Sequence, residues 1–256
     1  MAKFVLRKDI VSQVSKAPHA VATPMSKFKV TSEVTDHASH QFLPEYLSAY
    51  GAGLEKARMQ DNSLRRARFF HITQMLQLTR GVPGFTAEAG VFRGLSSYLI
   101  CHYLRREIGM FNGETHFMID SFEGLSVPVE KDGEFPAKRH SEGAFTRTSV
   151  ETVQETLSDF SGVNIHKGWI PDVFAKLPEQ TYRFVHVDVD VYEPTLASFR
   201  YFFPRLSPGG IMMCDDFGPW KDDNWPGCIR AVNEFANEAG VVYAVLNTGN
   251  VMFIKR

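Results

Sequence analysis

The sequence predicts an α/β fold: a mostly parallel seven-stranded sheet that ends in an antiparallel hairpin, preceded by an N-terminal helical extension. Three observations carry this prediction. From residue 81 onward, short apolar runs bounded by Gly, Pro, Asn and Asp alternate with stretches of helical period, the pattern of a parallel sheet with helices on both faces. One of those runs, residues 182–187, is strongly apolar, as suits a strand covered on both sides. Finally, residues 241–246 and 251–255 read as two strands joined by the tight turn Asn247-Thr248-Gly249-Asn250.

Taken in order, residues 1–40 show little periodicity and read as an arm that packs on a neighbouring subunit or trails. Apolar residues then recur at steps of three and four, first Leu43, Tyr46, Leu47, Tyr50 and Leu54, then Leu64, Phe69, Ile72, Met75 and Leu76. That spacing predicts two amphipathic helices over a sheet face or a site mouth. The chain is thus divided into an arm and helical cap, 1–80, and a sheet domain, 81–256. Strands are expected at 83–87, 115–119, 163–166, 182–187 and 211–214, ahead of the terminal pair, with helices at 94–109, 150–160, 170–177, 195–203 and 228–238. Residues 121–148 are loop-like and long enough to close over a site. A parallel sheet finishing in a hairpin suits Rossmann-like methyltransferases better than dinucleotide dehydrogenases.

Composition narrows the function. With 256 residues, 44% hydrophobic and 22% charged, the chain has material for a large core and is not disordered. Lys and Arg total 28 against 29 Asp and Glu, with no basic run, so nucleic acid is not an expected partner. Cys101, Cys214 and Cys228 have neither metal-ligand spacing nor a disulfide framework and read as reduced, buried side chains. No signal peptide and no membrane-length apolar run is visible, so a cytoplasmic protein is expected.

The first expected strand runs into Glu88-Ala89-Gly90-Val91-Phe92-Arg93-Gly94. Glycines at a strand-to-helix turn let the backbone approach a ligand closely. Their spacing is neither that of a dinucleotide fold nor of a triphosphate loop. An acid opening the loop repels a pyrophosphate and suits a cationic cofactor such as S-adenosylmethionine. The second strand ends at Asp120, in Ile119-Asp120-Ser121-Phe122-Glu123-Gly124. An acid there accepts hydrogen bonds from ribose hydroxyls; the blander alternative is a cap for its own turn.

The sharpest cluster lies further on. Val185-His186-Val187-Asp188-Val189-Asp190-Val191-Tyr192-Glu193-Pro194-Thr195 sets two carboxylates at the end of the most apolar strand, and the next strand ends in Asp215-Asp216. Four carboxylates on adjacent strand tips repel one another unless a cation joins them, and an all-oxygen set favours Mg²⁺, Mn²⁺ or Ca²⁺. Solvated loop acids and helix caps are the alternative. His186 is either a second candidate base or a structural strand histidine. His71, Trp169 and Tyr192 read more simply as packing residues.

These motifs, with Lys167-Gly168-Trp169, Leu206-Ser207-Pro208-Gly209-Gly210, Asp215-Asp216-Phe217-Gly218 and Pro226-Gly227-Cys228, resemble the macrocin O-methyltransferase family of sugar methyltransferases in antibiotic biosynthesis. The resemblance runs from about Phe85 to the C-terminus. It implies a Rossmann-like methyltransferase fold and two cofactors, S-adenosylmethionine and Mg²⁺. It further implies Asp188, Asp215 and Asp216 as metal ligands and Asp190 as general base. Glu88, Gly90, Arg93, Ser96, Asp120 and Asp188 would contact the methyl donor, with Ser121 and Phe122 flanking its adenosine. The acceptor would be a small sugar or glycosylated molecule, and the arm suggests a homo-oligomer. Two other functions stay open at this stage. Asp188-Val189-Asp190 is also the acid pair of a metal-dependent nucleotide-sugar glycosyltransferase, and a non-catalytic protein of the same fold would keep the architecture without needing all four acids.

Overall fold

The computed structural model describes residues 43–133, 144–218 and 226–256. The expected arm at 1–40 and part of the 121–148 loop lie outside them.

Helix α1 (Pro44–Lys56) opens with a proline, whose missing N–H costs nothing in a first turn, and buries Tyr46, Ala49, Tyr50 and Gly53 along one stripe. Helix α2 (Ser63–Leu78) starts at Asn62, whose side chain accepts from the Arg65 amide at 3.0 Å. Both helices pack on α3 (Leu95–Ile108), the helix that follows strand β1 (Phe85–Ala89). Next come β2 (His116–Asp120), α4 (Val150–Thr156) behind its Ser149 cap, β3 (Asn164–Lys167), β4 (Tyr182–Val187), α5 (Tyr192–Phe202), β5 (Leu206–Cys214) and α6 (Pro226–Ala239). Strands β6 (Tyr243–Val245) and β7 (Val251–Ile254) close the chain.

The seven strands lie in the order β3-β2-β1-β4-β5-β7-β6. The first five are parallel, and β7 is antiparallel to both β5 and β6. The predicted sheet and hairpin are therefore present. Several boundaries differ for local reasons. Strand β5 begins at Leu206 rather than 211, because Ser207-Pro208-Gly209-Gly210 stays within the strand as an irregularity, with Gly209 at φ +84 and the register to β4 shifting between Tyr182 and Phe184. Helix α5 begins at Tyr192 rather than 195, since Pro194 falls in its first turn where no N–H is required. The short helix expected at 170–177 is a 3₁₀ segment, Asp172–Lys176.

Strand parity decides what each face holds. On β4, beyond the register shift that separates Tyr182 from Phe184, Val185 and Val187 join a core with Phe199, Phe202 and Phe253, on the α5 and α6 side. Phe184 turns the other way, into a core with Ile72, Leu76, Leu99 and Met213 under α2 and α3. His186 shares that second side, where the Phe69 ring of α2 meets it edge-on at 6.4 Å. None of the helices among the described residues is long and apolar enough to cross a membrane.

Candidate active site

A cleft of about 900 Å³ opens at the carboxyl ends of the parallel strands, where ligands gather in open α/β sheets. Its wall is made by residues just after β1, β2, β4 and β5, with Asn62, Arg65, Arg68 and Phe69 of the α2 region opposite.

On the β1 side, Gly90 has φ +87, and a Cβ there would fall 1.8 Å from the carbonyl oxygen of Asp188. Glycine is required because two strand tips touch at this point, which holds the β4 carboxylates close to the β1 loop. Asp120 organises the same loop. Its Oδ2 accepts from the amides of Val91 and Phe92 at 2.7 and 2.9 Å, and its Oδ1 accepts from the Phe122 amide at 2.7 Å. The capping alternative and the ligand-binding one are thus compatible: a carboxylate offers more lone pairs than three amides use, and Asp120 lines the cleft. Ser121, Arg93 and Ser96 line it too. The Arg93 Nε is buried without a hydrogen-bond partner.

Two expected cofactor contacts are placed elsewhere. Glu88 is wholly buried, with Oε1 2.7 Å from His186 Nδ1 and Oε2 accepting from the Ser97 hydroxyl. Alternation along β1 is the reason: Ala87 and Ala89 face the α5 side, so Glu88 faces α3 and not the cleft. Phe122, at φ +56, likewise packs into the core under α2 and α3.

The four acids do converge. Ligand oxygens of Asp188, Asp190 and Asp216 lie within 4.8 Å of one another, and a second set within that distance comprises His186, Asp188 and Asp215. The expected trio of Asp188, Asp215 and Asp216 straddles the two sets. Extended pairing of Asp188 with Asp190 does not account for this, because β4 ends at Val187 and Asp190 turns at φ +62. Asp216 is left-handed as well, at φ +64. Asp tolerates that region better than most residues, and such strain concentrates at functional sites.

Burial pushes the carboxyls of Asp188 and Asp190 well above their ordinary range, and repulsion adds to it, from Asp215 and Asp216 on Asp188 and from Asp216 and Asp188 on Asp190. Asp215 differs. Burial raises it, but His186, Arg68 and Asn250 outweigh burial and hold it low. His186 itself is driven up by Asp215 and Glu88 against the opposing effect of burial. Both of its ring nitrogens are engaged, Nδ1 with Glu88 at 2.7 Å and Nε2 with Asp215 at 3.1 Å, and it does not line the cleft. Its position suits the structural reading and leaves no nitrogen free to act as base.

The sequence reading did not single out Arg68. Its guanidinium donates to Asp216 Oδ1 at 2.8 Å and to the Thr248 carbonyl at 3.2 Å, and it lies 4.0 Å from Asp215. Thr248 and Asn250, expected only as turn residues, complete the support: Thr248 donates to Asn250 Oδ1 at 2.5 Å, and the Asn250 amide donates to Asp215 Oδ1.

A seven-stranded sheet of this order, with a cleft of carboxylates at its strand tips, defines the fold class as that of the Rossmann-like O-methyltransferases. Two solved structures are similar over most of their length: the O-methyltransferase NovP (TM-score 0.61, 23% identity, 73% of this chain and 79% of that one) and CalS11, calicheamicin methyltransferase (TM-score 0.60, 20% identity, 82% and 93%). Residues 11–252 match the Macrocin-O-methyltransferase (TylF) family, and the chain belongs to it. Among curated relatives, mycinamicin III 3''-O-methyltransferase of Micromonospora griseorubida is 29% identical over 174 residues, 64% of this chain and 65% of that protein. The 8-demethyl-8-(2,3-dimethoxy-alpha-L-rhamnosyl)-tetracenomycin-C 4'-O-methyltransferase of Streptomyces olivaceus is 28% identical over 177 residues, 64% of this chain and 62% of that protein. The chain thus spans less than two thirds of the length of the curated relatives it matches.

Proposed function

We propose that this protein transfers a methyl group from S-adenosylmethionine to a hydroxyl of a sugar or sugar-bearing natural product, with Mg²⁺ held by Asp188, Asp215 and Asp216. The observation that carries the reading is the convergence of four acids, Asp188, Asp190, Asp215 and Asp216, on one cleft that also holds Asp120. Family membership and the named activities of the curated relatives support it.

The donor set fits a hard divalent cation: Asp188, Asp190 and Asp216 offer carboxylate oxygens alone, and the acids repel one another without a cation among them. When bound, Mg²⁺ supplies positive charge that stabilises the negative charge developing on the acceptor oxygen. This chain's own residues do the rest. Asp120 takes the ribose hydroxyls of the donor while keeping the β1 loop folded, and Ser121 borders the nucleoside. Arg93 and Ser96 border the cleft just after β1, beside the expected place of the methyl donor. Asp190 is the general base. Its carboxylate lines the cleft beside Asp188 and Asp216, where it can take a proton from a sugar hydroxyl. Holding the acceptor oxygen in line with the methyl group accounts for much of the acceleration.

The test is transfer of labelled methyl from S-adenosylmethionine to a panel of glycosylated acceptors, read by mass spectrometry. Label should appear on a sugar oxygen, vanish with EDTA and return with Mg²⁺. Asp190→Asn should lower turnover by about 10²–10⁴-fold while leaving Mg²⁺ and S-adenosylhomocysteine affinity intact. Full turnover after exhaustive chelation would refute the metal's part, and loss of metal with activity kept at saturating Mg²⁺ would make Asp190 a ligand.

A further inference from the structure

Beneath the cleft floor, a buried chain of polar side chains crosses the sheet, and the roles given above use none of its interior members. Thr86 Oγ1 meets His116 Nδ1 at 2.9 Å, and His116 Nε2 meets the Ser97 hydroxyl at 3.0 Å. Ser97 donates to Glu88 Oε2, Glu88 Oε1 meets His186 Nδ1 at 2.7 Å, and His186 Nε2 meets Asp215 Oδ1 at 3.1 Å. Glu88, Ser97, His116 and His186 are all 0% exposed. Parity and register place them. Glu88 and His186 are direct neighbours across β1 and β4, and His186 pairs with Met213, two residues before Asp215.

The two ends of this chain are unequal. At one end lies Thr86 in the core; at the other lies a carboxylate that the proposed function makes a metal ligand. Asp215 Oδ1 receives both His186 and the Asn250 amide, so its orientation is set from below by two buried partners. Oδ2 faces Arg68 at 4.0 Å on the cleft side and is the oxygen left for a cation. Histidine accomplishes this where an amide or hydroxyl would not, because its two nitrogens span the gap between two carboxylates on different strands. Taking a carboxylate out of water without a partner is costly, and a fully buried Glu88 has no stabilising role in an apolar core unless something holds it.

We infer that Glu88 and His186 are positioning residues, a buried carboxylate–imidazole pair that aims Asp215 Oδ2 into the cleft for the divalent cation. The inference rests on the proposed metal site. Groups that orient a ligand from behind typically contribute 10–100-fold to metal affinity. A merely structural network would affect folding and leave cation affinity untouched in any variant that folds.

The test is Mn²⁺ titration of the whole protein, followed by electron paramagnetic resonance, with S-adenosylhomocysteine affinity measured alongside. His186→Phe should weaken Mn²⁺ about 10–100-fold and leave S-adenosylhomocysteine affinity within about twofold. His186→Gln, which restores a donor toward Asp215, should recover part of the loss. Glu88→Gln keeps the shape of the chain and should also weaken Mn²⁺, and it decides the matter if His186→Phe does not fold. Mn²⁺ affinity equal to wild type in folded His186→Phe or Glu88→Gln overturns the inference. Asp188→Asn separates it from the site reading: if that variant binds Mn²⁺ like wild type, the metal site itself is misplaced and the inference falls with it.

Discussion

At the scale of single residues, close approach and burial set the strongest constraints. Gly90→Ala would place a methyl 1.8 Å from the Asp188 carbonyl at a backbone φ of +87. The variant should lose about 3–5 kcal/mol of stability in urea unfolding and lose activity, because the β1 and β4 tips must part. A loss under about 1 kcal/mol would mean that the two tips are not in contact. His116 gives a pH prediction. Burial, the largest influence, holds its imidazole down at about 4 against an ordinary 6.5. The unfolded chain therefore takes up this proton first as pH falls. Its contribution is full above pH 6.5 and is lost between 6.5 and about 4, about 3 kcal/mol in all. His116→Gln cannot titrate, so unfolding free energies over that range should fall less steeply than in wild type. Equal slopes would show that His116 is not the group responsible.

Among elements, what the sequence disclosed depended on whether the signal was local. The strands were legible because β4 is apolar and its neighbours are punctuated by Gly and Pro, and the strand-tip acids were legible because they end those runs. Glu88 was misplaced although its flanking alanines marked the parity that turns it inward. Arg68 was not legible at all: three arginines, Arg65, Arg66 and Arg68, stand together in α2, and nothing in that run tells which one meets the tip of β5. Thr248 and Asn250 were hidden by their suitability as turn residues, which masks their bonds beneath Asp215. The α2 contact yields its own prediction. Arg68 and Asp216 have side chains 12% and 6% exposed, so Arg68→Gln leaves a nearly buried carboxylate without its partner. Metal-free stability should drop by about 3 kcal/mol. Mn²⁺ should bind more tightly, since a positive charge beside the site is gone. Weaker Mn²⁺ binding would show instead that Arg68 assembles the ligands.

Across the whole molecule, topology brings these pieces together. Parallel strands β1, β2, β4 and β5 end at one edge, so residues from 90 to 216 meet in a single cleft, and the β6–β7 hairpin sets Asn250 beneath it. The central claim is that this cleft holds a methyl donor at Asp120 and a divalent cation at the neighbouring acids. It is tested most directly by the crystal structure of the protein with S-adenosylhomocysteine and Mn²⁺, using the anomalous signal of manganese. The expected result is one manganese peak among the carboxylates of Asp188, Asp215 and Asp216, the ribose hydroxyls on Asp120, and Arg68 withdrawn from Asp216. Nucleoside bound away from Asp120, or a cleft free of manganese at saturating concentration with the Arg68–Asp216 pair intact, would contradict it.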